Sequence, residues 1–142
     1  MLKIQASPIA MNFQKRILLI DDEPHLTALV RPVLVATGRY LIREENHRRG
    51  ALHAALHFQP DLVLLDSVRP NLDHGVAQAI HRDPALRDVP VVLLTGLAPD
   101  RRISSVGFFG GYTFFANPFS VEEVVACIAE MLSDQTDAGA AA

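Results

Sequence analysis

Three stretches of this chain are apolar almost without a break: RILLI at 16–20, LVLL at 62–65 and VPVVLLT at 89–95. A strand with one wet face alternates apolar and polar residues, whereas a strand covered on both faces does not. Continuous runs of this length therefore call for a sheet sandwiched between helices. Two shorter runs, RYLIR at 39–43 and YTFFA at 112–116, read as further strands. Helix-length amphipathic stretches separate them. The first covers 25–37, with Pro24 at a first helical position, Gly38 closing it and Pro32 inside, where a kink is expected. The second covers 47–58 and is stopped by Pro60, and the third covers about 76–82, ending near Asp83-Pro84. A weakly marked helix is expected at 99–108. Ser120 caps the last one, with Glu123 completing a capping box.

Strands alternating with helices imply right-handed crossovers and a parallel sheet. The expectation is an α/β fold with five parallel strands in the order 2-1-3-4-5 and helices on both faces. With 142 residues and 49% apolar content, the chain builds one ordinary domain. That domain is placed at 15–133, after an N-terminal arm at 1–14 and before a small, polar, disordered tail at 134–142. No effector domain is expected after Ser133, so output is expected through another protein. A net charge of -3 argues against a broad nucleic-acid footprint. No run is long enough to span a membrane, and the leader lacks a secretory apolar stretch, so a cytoplasmic protein is expected. The lone Cys127 excludes an internal disulfide and reads as a buried thiol. Lysine occurs only at Lys3 and Lys15.

In sheets of this kind, ligands sit beyond the carboxyl ends of the strands, where the strand order reverses. Those ends read Asp21-Asp22-Glu23, Asp66 and Thr95. With strands one and three adjacent, three aspartates converge on one crevice. Two unit charges about 4 Å apart repel by roughly 4 kcal/mol at an effective dielectric near 20. Such a cluster calls for a cation, and a hard divalent ion such as magnesium suits oxygen ligands. A carboxylate is also a nucleophile toward a phosphoryl group, and a threonine hydroxyl can donate to a phosphoryl oxygen.

Taken in order, ILLIDDEP, DLVLLDSVRP, VPVVLLTG and FFANPFS resemble the receiver domain of two-component response regulators, the CheY-like fold, over about 15–133. The resemblance implies a signalling domain rather than an enzyme. It implies that Asp66 accepts a phosphoryl group from a histidine kinase or phosphotransfer protein. It also implies that Asp21, Asp22, Asp66 and the Val68 carbonyl hold magnesium, and that Thr95 and Phe114 form the switch. Two departures stand out. Asn117-Pro118 occupies the place of the usual Lys-Pro, so the phosphate meets an amide instead of a positive charge. His74 looks inserted before Gly75, with a shortened third helix. His25, Arg69 and His74 are candidates to replace the lost cation, Arg69 foremost.

The main alternative is a degenerate receiver, a protein-binding module indifferent to phosphorylation, which the missing lysine favours. A phosphatase of the haloacid-dehalogenase kind needs an acid two residues after the nucleophile, and Val68 stands there. His53 and His57 have metal-compatible spacing without a third ligand; both are read as flanking an apolar side made by Leu52 and Leu56. The aromatics Phe108, Phe109, Tyr112, Phe114, Phe115 and Phe119 crowd one stretch. They place a partner surface, for a downstream effector or a homodimer, on the fourth helix, fifth strand and fifth helix.

Overall fold

The uninterrupted run at 62–65 forms the centre of a six-stranded sheet, flanked by strands on both sides. The computed structural model describes residues 14–21, 27–67, 70–95, 106–109, 112–116 and 120–141. Along the chain these form β1 (Lys15–Ile20), α1 (Thr27–Ala36), β2 (Tyr40–Glu45), a short 3-10 turn (Arg48–Gly50) and α2 (Ala51–Phe58). There follow β3 (Leu62–Ser67), α3 (Pro70–Arg82), β4 (Val91–Thr95), β5 (Val106–Phe109), β6 (Tyr112–Ala116) and α4 (Val121–Ala141). The sheet order is β2-β1-β3-β4-β6-β5. Every neighbouring pair is parallel except β5 and β6. The five parallel strands thus keep the expected order, with YTFFA as the fifth.

Period-2 alternation sorts each apolar strand onto two cores. Leu18, Ile20, Val63, Leu65, Val91 and Leu93 pack against Ala51, Ala54 and Ala55 of α2 and against Ala77 and Ile80 of α3. Ile17, Leu19, Leu62, Leu64, Val92, Leu94 and Phe115 pack against Val30 and Leu34 of α1 and against Val124, Ile128 and Leu132 of α4. Covered on both faces, the central strands have no polar side to show, which is why their sequence is continuous.

Several boundaries differ from the sequence reading. Residues 106–108, expected in a helix, belong to β5, which runs antiparallel to β6 with Phe109 opposite Tyr112. Aromatic residues favour strands, and Gly110-Gly111 between two such runs is a two-residue hairpin pattern. The rest of the expected helix, 99–105, lies outside the described residues. In consequence YTFFA is not the sheet edge; β5 covers it. Helix α3 starts at Pro70, so it is longer than the expected 76–82. Proline is favoured at a first helical position, and an interior glycine such as Gly75 costs only about 1 kcal/mol. Helix α4 continues to Ala141, through residues read as a disordered tail; alanine and glutamine are good helix formers there. Residues 1–13 of the expected arm and Pro24 lie outside the described residues.

Local chemistry closes the elements where the sequence placed their ends. Gly38 takes φ +68° after α1, its N–H bonding the Val35 carbonyl at 3.1 Å. That left-handed conformation favours glycine. Ser120 Oγ accepts from the Glu123 N–H at 3.2 Å, as a cap does. Its hydroxyl donates to Glu122 rather than being answered by Glu123. Cys127 is half-buried rather than fully so, and burial pushes its thiol pKa up, with Glu130 adding to the effect.

Candidate functional site

Parallel pairing of β1 and β3 sets Ile20 opposite Leu65. The next residue on each strand is an aspartate, Asp21 and Asp66. Neighbouring strands lie about 4.8 Å apart, so the two carboxylates leave adjacent strands at the same carboxyl edge. By alternation Asp21 keeps the phase of Ile17 and Leu19, and Asp66 that of Leu62 and Leu64. Both therefore belong to the α1–α4 face. Asp21 is 1% and Asp66 5% exposed, unusual for aspartate and the reason the pair needs a chemical explanation.

Asp21 is held from two sides. Its N–H donates to the Glu45 carbonyl at 3.0 Å, extending the β1–β2 ladder by one residue. On its side chain, Thr27 Oγ1 of α1 donates to Oδ2 at 2.5 Å, and Thr27 is itself 1% exposed. The other oxygen, Oδ1, is buried and accepts no hydrogen bond among the described residues. A buried polar atom left unsatisfied costs roughly 1–3 kcal/mol, more if charged. A hard cation is the natural remedy, since it takes carboxylate oxygens directly. The donor set present fits magnesium.

Thr95 ends β4 opposite Ser67, the residue after Asp66, and is opposite Ala116 on its other side. Thr95 thus lies along the same sheet edge, one strand from Asp66. Phe114 sits within β6, opposite Leu93 of β4 and Gly107 of β5. Asp22, Val68, Asn117, His25 and Arg69 lie outside the described residues, and His74 is described only as part of α3. Among the described residues no three His, Cys, Asp or Glu side chains come together. His53 and His57 lie on the exposed side of α2 with ring centroids 6.1 Å apart. The buried side of that helix is made by Ala51, Ala54 and Ala55, with Leu52 partly buried against the same core and Leu56 at 37% exposure, so of the apolar side expected at Leu52 and Leu56 only Leu52 packs inward.

Thr27 escaped the sequence reading. Its signal was a polar residue in phase with Val30 and Leu34 on the buried stripe of α1. A hydroxyl on such a stripe needs a partner, and the aspartate at the end of β1 supplies it.

No family model matches the chain. It is 33% identical over 118 residues to the DNA-binding dual master transcriptional regulator RpaA of Synechocystis sp. (strain ATCC 27184 / PCC 6803 / Kazusa), covering 82% of this chain and 48% of RpaA. The chain spans about half the length of the relatives it matches. Among solved structures, it is similar to the signal receiver domain of a signal transduction histidine kinase from Syntrophus aciditrophicus. That match has a TM-score of 0.68 and 25% identity, covering 84% of this chain and 91% of that one. It also shares its fold with the receiver domain of sensor histidine kinase PA1611 from Pseudomonas aeruginosa PAO1. There the TM-score is 0.67 at 24% identity, covering 84% of this chain and 98% of that one, and that structure holds a magnesium ion in its active site cleft.

Proposed function

We propose that this chain, a CheY-like receiver domain similar to response regulators, uses Asp66 as its phosphoacceptor in two-component signalling. One observation carries this reading. Two buried carboxylates emerge at adjacent strand ends, and one of their oxygens, Asp21 Oδ1, accepts no hydrogen bond among the described residues. Structural aspartates are seldom buried in that way.

An Asp66 carboxylate oxygen attacks the phosphorus of a phosphohistidine on a kinase or phosphotransfer protein. The P–N bond breaks, the imidazole leaves, and an aspartyl phosphate forms. Asp21, Asp22, Asp66 and the Val68 carbonyl would hold magnesium, which would supply neutralisation of charge on the transferring group. Thr95, at the end of β4, donates its hydroxyl to a phosphoryl oxygen, and Asn117 donates its amide where the family has a lysine. Movement of Thr95 toward the phosphate is read out at Phe114 for a downstream effector or a second copy of the chain. The domain signals and does not turn over a substrate. A cytoplasmic location suits a kinase-fed acceptor, and no described helix is long and apolar enough to cross a membrane.

A second reading, a binding module indifferent to phosphorylation, is favoured by the loss of positive charge at Asn117. Beryllofluoride, a phosphoryl mimic, separates the two in a 15N-labelled sample. With magnesium, the phosphoacceptor reading expects saturable shifts at Asp21, Asp66, Ser67 and Thr95. An unchanged spectrum at saturating magnesium selects the binding module.

A further inference from the structure

We propose that Thr27 is a positioning residue for the cation site, holding Asp21 so that one carboxylate oxygen is reserved for the metal. This inference rests on the cation reading above. Its basis is the pairing of Thr27 Oγ1 with Asp21 Oδ2 at 2.5 Å, both residues 1% exposed, beside a buried Oδ1 with no donor among the described residues.

The terminal torsion of an aspartate is broad, so an unrestrained Asp21 carboxylate would take up a wide range of planes. Thr27 has one hydroxyl proton to give and gives it to Oδ2. That fixes the plane of the carboxylate and leaves the other oxygen, Oδ1, as the open acceptor. The choice of group matters as well as its place. An arginine or lysine there would neutralise the carboxylate and compete with the cation, whereas a hydroxyl satisfies one oxygen and leaves the charge intact. Thr27 is fixed in turn by the core, because it shares the buried stripe of α1 with Val30 and Leu34. Helix α1 therefore contributes to the site through a side chain that touches no metal or phosphate. Partners that orient metal ligands in this way typically change affinity by roughly 10- to 100-fold when removed.

Isothermal titration of magnesium into the full chain tests this, using wild type, Thr27→Val and Thr27→Ser, with folding checked by circular dichroism. Thr27→Val keeps the shape and loses the hydroxyl; it is expected to bind magnesium roughly tenfold more weakly. Thr27→Ser keeps the hydroxyl and is expected to bind nearly as wild type, which a purely packing role for the methyl group would not produce. Thr27→Ala, also without a hydroxyl, takes the place of the Val variant if that one does not fold. Wild-type affinity in the variants lacking the hydroxyl, or a Ser variant as weak as they are, overturns the positioning role alone. A wild type that takes up no magnesium overturns the cation reading and this inference with it.

Discussion

Ile20 of β1 lies opposite Leu65 of β3, and that register delivers Asp21 and Asp66 to the same edge of the sheet. Two buried carboxylates on neighbouring strands repel one another in the absence of a cation. Asp21→Asn is therefore expected to stabilise the metal-free protein by about 1–3 kcal/mol, on the scale of a charge pair near 5 Å at a dielectric of 20. The same variant should lose the stabilisation that magnesium is expected to confer on wild type. Urea denaturation with EDTA and with saturating magnesium measures both.

The cap of α4 is a separate handle on stability. Ser120 Oγ accepts from the Glu123 N–H, so Ser120→Ala is expected to cost about 1 kcal/mol in urea denaturation. The Glu122 carboxyl, fully exposed, is held below the usual range by its own backbone N–H and then by the Ser120 hydroxyl. A depressed folded-state pKa adds stability that is present above the ordinary glutamate value and lost as pH falls through the lowered one. The difference between wild type and Ser120→Ala should accordingly shrink on acidification below the ordinary glutamate range.

Phe115 is 2% exposed and packs in the core shared by α1 and α4. Phe115→Ala is expected to destabilise the fold by roughly 3–5 kcal/mol, the usual range for emptying such a site. A loss below 1 kcal/mol would place this side chain outside the core.

On the proposed phosphoacceptor reading, Asn117 bears on the switch at Thr95 and Phe114. An aspartyl phosphate adds about one and a half to two negative charges at neutral pH. A neutral amide bond to it is roughly half as strong as a charge-assisted one. Coupling energies of allosteric switches are typically about 1–3 kcal/mol, so on that reading one missing charged contact would weaken the pull on Thr95 appreciably. Asn117→Lys is expected to enlarge the beryllofluoride-induced NMR shift at Phe114. A full shift in wild type, unchanged in the variant, would mean that another cation such as Arg69 does the lysine's work.

The parts legible in the sequence were those written in long runs of one chemistry. RILLI, LVLL and VVLLT need cover on both faces, and the two cores provide it. The aspartates stood out because charge at the end of such a run is costly. Weaker signals gave way to context. Gly75 read as a helix boundary, yet α3 runs through it from Pro70. The weakly marked helix expected at 99–108 hid β5, whose evidence was the Gly110-Gly111 pair and the aromatic residues on either side. Thr27 carries no charge, and its meaning appears only when α1 is laid beside the end of β1.

Mass spectrometry after incubation with acetyl phosphate and magnesium tests the central claim most directly. A single phosphoryl group is predicted on wild type, mapped to Asp66, lost when EDTA removes the metal and absent from Asp66→Ala. An unmodified Asp66 at saturating magnesium, or equal modification of the Asp66→Ala chain, would contradict it.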